Sequence, residues 1–162
     1  MSTTPAISEL VTRDQFESYI TIDSALALIG DGFTTLKESK NPKEYTRKYV
    51  NMKTEKTDVI GYAPSLEYSL DVYSNSPVVG LIVDITDEEK TGSDAIVEIT
   101  NVNRWDVDQS GKCKAVQRQY AVIPSGKGDG TDALIYSGTM KAATDLIKGK
   151  FDPTNNTFTA DT

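Results

Sequence analysis

Residues 58–92 read DVIGYAPSLEYSLDVYSNSPVVGLIVDITDEEKTG, and this stretch decides the fold. From Ser65 the side chains alternate: Leu66, Tyr68, Leu70 and Val72 take one parity, and Ser65, Glu67, Ser69 and Asp71 take the other. Successive strand side chains face opposite sides, so this is a half-buried strand with one dry and one wet face. The stretch as a whole reads as one long strand, a sharp turn and one helix. Ser74-Asn75-Ser76-Pro77 makes the turn, with Ser76 placed to cap a helix and Pro77 at its first position, where a missing N–H costs nothing. Val78, Leu81, Ile82 and Ile85 then recur at helical spacing, and Val79 widens the stripe. Asp84, Asp87, Glu88 and Glu89 cluster late, where carboxylates oppose the helix dipole and favour fraying. Gly92 is the predicted stop. β-Branched residues weaken the intrinsic preference for helix, so packing of the apolar stripe must hold it. The natural receiver is the sheet to which the strand belongs.

Working outward, Phe16 to Ile22 is a strand with Phe16, Ile20 and Ile22 on one parity and Tyr19 facing away. Ala25 to Leu36 follows, interrupted by Gly30-Asp31-Gly32, a tight bend or bulge. Asp94 to Trp105 is a strand in which Ala95, Val97 and Ile99 alternate and Val102 breaks parity, which predicts a bulge. Cys113 to Ile123 is a strand with Val116, Tyr120 and Val122 on one face. Pro124 to Thr131 reads as a glycine-rich loop, and Asp132 to Ala142 as a strand carrying Leu134, Tyr136 and Met140 together. Leu146 to Phe151 and Asn156 to Thr159 form a closing hairpin around Asp152-Pro153-Thr154-Asn155, all good turn formers. The expectation is a mainly β (α+β) domain: an antiparallel β-sandwich or barrel of about seven or eight strands with one flanking α-helix.

One domain is expected over residues 1–162, with an N-terminal arm at 1–14 and a C-terminal hairpin and tail at 153–162. Lys37 to Thr57 is predicted to project. It holds seven bases (Lys37, Lys40, Lys43, Arg47, Lys48, Lys53, Lys56) and three acids, a net charge of +4 in a chain of −7, so the remainder carries −11. Apart from a candidate strand at Tyr45–Asn51 it reads as a long loop with a strand returning from it, and long loops are unusual in a compact domain and often functional.

The same composition excludes several classes of function. The chain has no histidine, the commonest general base and zinc ligand, and one cysteine, Cys113, so it forms no intrachain disulfide. Residues Met1 to Leu10 show no basic region followed by an apolar run, so no secretory leader is predicted. The apolar runs Ala25–Ile29 and Val78–Val83 are too short for a membrane-spanning helix. Asp106-Val107-Asp108-Gln109-Ser110-Gly111 starts like a calcium loop, but position twelve is Gln117 and the flanks are strands, so a hairpin turn is expected. Gly126-Lys127-Gly128 lacks the hydroxyl residue and the helix of a phosphate loop. Asn155-Asn156-Thr157 matches a glycosylation acceptor, which carries no meaning without secretion. No nucleophile, base and oxyanion site converge, so no catalytic residue, cofactor or metal is predicted.

Several segments, taken in order, resemble one family. They are Leu28-Ile29-Gly30-Asp31-Gly32-Phe33-Thr34, Glu38-Ser39-Lys40-Asn41-Pro42, Lys48-Tyr49-Val50-Asn51, Gly61-Tyr62-Ala63-Pro64-Ser65, and Gly149-Lys150-Phe151-Asp152 with Phe158. The chain from Phe16 to Phe158 resembles the major tail proteins, or tail tube proteins, of long-tailed bacteriophages and prophages of Gram-positive bacteria. The resemblance implies a non-enzymatic virion tail subunit, assembled in the bacterial host cytoplasm. Homo-hexameric rings of it would stack into a tube through which DNA passes without specific binding. Its other partners would be the tape measure, terminator and distal tail proteins, with no membrane contact. Ring-and-stack assembly needs two unlike surfaces on one chain. The expected contact residues are Lys37, Lys40, Lys43, Arg47, Lys48, Tyr49 and Lys53 on the basic segment, with Asp84, Asp87 and Glu88 as a possible acidic receiver. The alternatives are a β-sandwich binding module that uses Gly126–Thr131 to hold a ligand, and the tube subunit of a tail-like bacteriocin or contractile system.

Overall fold

A computed structural model describes residues 8–129 and 131–161. Strands are numbered along the chain. Phe16–Ile22 is β1, Ala25–Ile29 β2, Phe33–Ser39 β3, Pro42–Arg47 β4, Lys56–Tyr62 β5 and Ser65–Asp71 β6. The helix α1 spans Pro77–Asp87. After it come β7 (Ile96–Val107), β8 (Cys113–Asp129), β9 (Ile135–Ala142), β10 (Ile147–Asp152) and β11 (Thr157–Ala160). The described residues thus hold eleven strands rather than seven or eight, and one α-helix. All strand pairs are antiparallel.

The main sheet runs β2-β1-β7-β8-β9-β6-β3 and curls into a half-barrel. Its branch point is β8. The first half of β8 pairs with β10, from Ile147 opposite Gln117 to Phe151 opposite Cys113. Its second half pairs with β9, from Ala142 opposite Tyr120 onward. The segment from Pro124 is therefore strand through Asp129, not the loop its glycines suggest. β7 starts at Ile96, opposite Ala121, so beyond that point one side of β8 has no neighbour. A proline without an N–H is tolerated on such an edge, and two register shifts absorb the irregular residues.

The central alternation of β6 holds: Leu66, Tyr68 and Leu70 are buried and Glu67 is exposed. Val78, Val79, Ile82 and Ile85 of α1 bury against that face, with Ile20, Val97, Ile99, Tyr120, Val122, Tyr136 and Met140 from the other strands. The helix starts as expected, with the Val79 amide donating to Ser76 Oγ at 3.3 Å and Pro77 following the cap. Ser76→Ala is expected to cost about 1 kcal/mol, the usual worth of such a cap, read as a lower midpoint in urea unfolding. The helix ends at Asp87, five residues before the predicted Gly92. Glu89 takes a left-handed φ of 50°, and Gly92 opens a short 3-10 turn over Gly92–Ala95 that delays β7 to Ile96. Carboxylates crowding the negative end of the dipole bring the stop forward.

A second core lies on the opposite face of the sheet. Tyr19, Val102, Cys113, Ala115 and Phe151 are buried together there, with Leu26 and Phe158 packed against them. Tyr19 stacks on Phe151 with ring centroids 4.9 Å apart. Val102 keeps a regular register with Glu17 and Ala115, so its broken parity marks this second dry face and not a bulge. The hairpin β10–β11 closes over the cluster, and at its turn Asn156 Nδ2 donates to the Leu26 carbonyl at 2.8 Å. Close packing here requires glycine at 149: a Cβ would lie 2.2 Å from the Thr159 carbonyl oxygen. The hairpin strands, Ile147–Asp152 and Thr157–Ala160, lie within one residue of the expected Leu146–Phe151 and Asn156–Thr159.

The expected bend at 30–32 joins β2 to β3. Gly32 has φ 86°, and a Cβ there would sit 2.5 Å from the Asp71 carbonyl oxygen, a position that only glycine fills without strain. A bulge between Phe33 and Thr35 follows it. Of the N-terminal arm, residues 1–7 lie outside the described set, residues 8–12 hold no regular structure, and Arg13–Gln15 form a 3-10 turn leading into β1.

Candidate assembly surfaces

The basic segment is mostly strand. Lys37 and Glu38 belong to β3, and β4 and β5 form a separate two-stranded hairpin whose strands pair only with each other. The expected loop at 37–57 is therefore the end of a sheet strand followed by a hairpin spanning 42–62. The sequence predicts only a returning strand in it, because nearly every residue is exposed and little wet–dry alternation marks either strand. Thr46 and Thr57 face each other with hydroxyls 3.1 Å apart, and the Arg47 guanidinium lies 5.2 Å over the Tyr45 ring. The Met52 amide closes the tip turn on the Tyr49 carbonyl at 3.0 Å. Large apolar side chains stand in water along the hairpin: Tyr45, Val59, Ile60 and Tyr62, with Tyr49 at 51% and Val50 fully exposed at the tip. Large apolar side chains gathered this way on one hairpin are more than the single scattered ones of an ordinary wetted surface.

The predicted contact residues occupy different positions. Lys43 and Arg47 lie on β4, and Lys48, Tyr49 and Lys53 at the tip. Lys37 sits opposite Glu67 on the sheet face away from α1, and Lys40 is held by Glu38. Asp84, Asp87 and Glu88 are exposed on α1 and its cap. Among the described residues, no ion pair joins the hairpin bases to these acids within one chain. Glu88 meets Lys90 at 3.4 Å.

Asp87 is engaged internally. It accepts from Lys127 Nζ at 2.6 Å and from the Tyr136 hydroxyl at 2.8 Å. The Lys127 hydrogen bond, then that of Tyr136, pulls its carboxyl below the usual carboxylate range, while the same contact raises the Lys127 ammonium. A depressed carboxyl contributes stability above its unfolded value of about 3.9, and that contribution disappears as pH falls through the lower folded value. Asp87→Asn is therefore expected to flatten the acid limb of the stability–pH curve below about pH 4. The check is thermal unfolding across pH 2–7, about the range of carboxyl titration.

The sheet face away from α1 is polar where β3, β6 and β9 lie side by side. Lys37, Glu67 and Thr139 form one cross-strand row, and Thr35, Ser69 and Ser137 the next. At the two ends of the sheet, β2 and β3 are edge strands, which present unpaired backbone groups. Between them runs a groove of about 610 Å³, walled by Phe16, Leu28, Phe33 and Leu36. Sequence reasoning missed this groove because its walls come from three strands.

Among the described residues, no group of three or more His, Cys, Asp or Glu could hold a metal ion. No described helix is long and apolar enough to cross a membrane. Cys113 is buried, and burial raises its thiol above the ordinary value. The Asp106–Gly111 segment is a hairpin turn, with Asp108 accepting from the Ser110 and Lys112 amides at 2.9 and 3.0 Å.

No protein-family model matches the chain, and no curated protein matches it in sequence. Solved structures do match it in fold. The tail of an empty gene transfer agent (GTA) particle, refined with C6 symmetry, superposes with a TM-score of 0.57 at 12% identity, covering 93% of this chain and 100% of that one. The virion of a native GTA particle superposes with a TM-score of 0.55 at 13% identity over the same shares. The half-barrel with one helix is thus a fold found in those particles.

Proposed function

We infer that the chain is the structural subunit of a tail tube, and that six copies close a ring whose stacked repeats enclose a channel for DNA. The observation that carries this reading is an exposed, self-paired basic hairpin with an apolar tip on an acidic half-barrel whose fold matches the GTA tail along almost its whole length. Hairpin and body are unlike surfaces, as a heterologous contact requires, and opposite charge steers such surfaces together. The bases Lys43, Arg47, Lys48 and Lys53 meet a neighbouring copy, and Asp84 and Glu88 add to the acidic body they approach. Asp87 contributes less, because Lys127 already holds it. The edges β2 and β3 take part in closing the ring. The Ser/Thr-rich face of β3, β6 and β9 lines the channel. Its two bases, Lys37 and Lys141, share the face with Glu67 and Asp71, so it presents no net positive charge to retain phosphates and slow their passage.

In this reading the protein is not an enzyme and works in the virion tail of a long-tailed phage or prophage of Gram-positive bacteria. It is assembled in the host cytoplasm beside tape measure, terminator and distal tail proteins. Sedimentation at rising protein concentration tests it. A tube subunit shifts from monomer to ring-sized and larger species, and raised salt shifts it back by screening the steering charges. A binding module remains monomeric throughout.

A further inference from the structure

The segments Glu38-Ser39-Lys40-Asn41-Pro42 and Gly61-Tyr62-Ala63-Pro64-Ser65 face each other where the main sheet gives way to the hairpin. Ser39 pairs with Ser65 at the end of β3–β6, and Pro42 with Tyr62 at the start of β4–β5. Between these two pairs the strand ladder breaks into an elbow, and Asn41 bridges it. Its φ of 46° is left-handed, a conformation that asparagine tolerates better than most residues. Its carbonyl accepts from the Ala63 amide at 3.2 Å, and its Nδ2 donates to the Ala63 carbonyl at 3.1 Å and to Ser65 Oγ at 3.2 Å. On the other strand Pro64 is buried, and its carbonyl accepts from the Ala142 amide of β9 at 3.0 Å.

A second tie crosses the barrel. Glu38 sits opposite buried Leu66, so it points inward. One of its carboxylate oxygens accepts from Asn101 Nδ2 at 3.2 Å, and Asn101 Oδ1 accepts from Ser18 Oγ at 2.8 Å. The other oxygen meets Lys40, the neighbour of Asn41. Ser18 and Asn101 are buried polar side chains, and these bonds satisfy them. β3 is one end of the sheet, and β1 and β7 lie near the other. The bonds therefore span the opening of the half-barrel and finish at the elbow. Among the described residues, the hairpin strands pair only with each other and give neither core a residue. Without these ties the links Lys40-Asn41 and Ala63-Pro64 would let the hairpin swing.

We propose that Asn41, and Glu38 through Asn101, are positioning residues that lock the hairpin at one angle to the barrel, so that each free copy already holds it as a neighbouring copy receives it. Its use in assembly rests on the self-assembly reading; the lock itself does not. Identical copies that meet through unlike surfaces close or propagate regularly only if each presents those surfaces at the same angle. Ordering the hairpin before the encounter also removes an entropic cost of association.

Spin labels on Lys56→Cys, near the hairpin tip, and Gln119→Cys, on β8, report this angle in the dilute full chain. Both positions are exposed, and Cys113, 2% exposed, stays unlabelled. The distance distribution is expected to be a single narrow peak. Asn41→Asp keeps the side chain's shape but cannot donate to the Ala63 carbonyl, and Glu38→Ala leaves Asn101 without its acceptor. Each should lose the narrow peak, whereas Glu38→Gln, whose amide oxygen still accepts, should keep it. Position 41 is exposed, so Asn41→Asp folds, with circular dichroism matching the parent. In sedimentation, the concentration needed for association should rise about tenfold in the variants that lose the peak. A broad distribution in the parent, or a narrow peak that survives Asn41→Asp, overturns the lock. Lost peaks with unaltered association overturn its role in assembly. A parent that stays monomeric at every concentration overturns the self-assembly reading, while the distances still decide the lock.

Discussion

Replacing Pro42–Tyr62 by Asn-Gly leaves a folded monomer that assembles into nothing larger. Ser39 and Ser65 are cross-strand partners, and the Ala63 amide donates to the Asn41 carbonyl at 3.2 Å, so the excised ends already lie side by side. Asn-Gly supplies the φ > 0 positions of a tight hairpin turn. No buried side chain is lost, because neither core contains a residue of β4 or β5. Surface changes of this kind usually stay within about 0.5 kcal/mol. Assembly is the property that disappears, since the segment carries five of the chain's 17 bases and, with Val50, the most exposed large apolar side chain among the described residues. Circular dichroism and thermal unfolding should match the parent, and sedimentation should show monomer at concentrations where the parent associates. A variant that still builds normal tubes would remove the hairpin from the contact.

Phe151→Ala has the opposite profile: it strikes the fold first. Phe151 is 1% exposed, stacks on Tyr19 and shares its cluster with Val102, Cys113 and Ala115. Truncation of a buried Phe costs about 3–5 kcal/mol through lost transfer energy and the cavity left behind. Domains of this size have about 5–15 kcal/mol of stability in total, so the loss takes a large share. β10 and β11 have their principal apolar anchors, Phe151 and Phe158, in this cluster, so they should release before the main core. Amide exchange is expected to quicken first over 147–160, and Cys113 to become reactive to thiol reagents. Unchanged exchange there would show that the second core contributes little.

The legibility of the chain follows from how many faces each strand buries. β6 is readable because a single parity is strongly apolar and the other is not, and Ser76-Pro77 marks the helix start without ambiguity; β1 is readable from the parity of Phe16, Ile20 and Ile22, although Tyr19 is buried on its other face. β7 and the first half of β8 are buried on both faces, against α1 on one side and Phe151 on the other. The simple alternation rule therefore misread Val102, and the second core went unseen. The far half of β8 contains Pro124, Gly126 and Gly128, residues that signal a loop; pairing with β9 overrides the signal. The hairpin shows the converse limit. Its strands bury nothing within one chain, so it carries no alternation, although its charge was plain. That the basic segment stays out of the core was legible for the same reason: it lacks the apolar content to join it. The groove was not, because its walls meet only when the sheet curls.

Electron micrographs of the purified full chain at high concentration test the central claim most directly. The account predicts hollow rings and stacked tubes, with end-on averages showing sixfold symmetry around an open bore. Solid or unsymmetrical aggregates, or particles that remain the size of one chain, would contradict it.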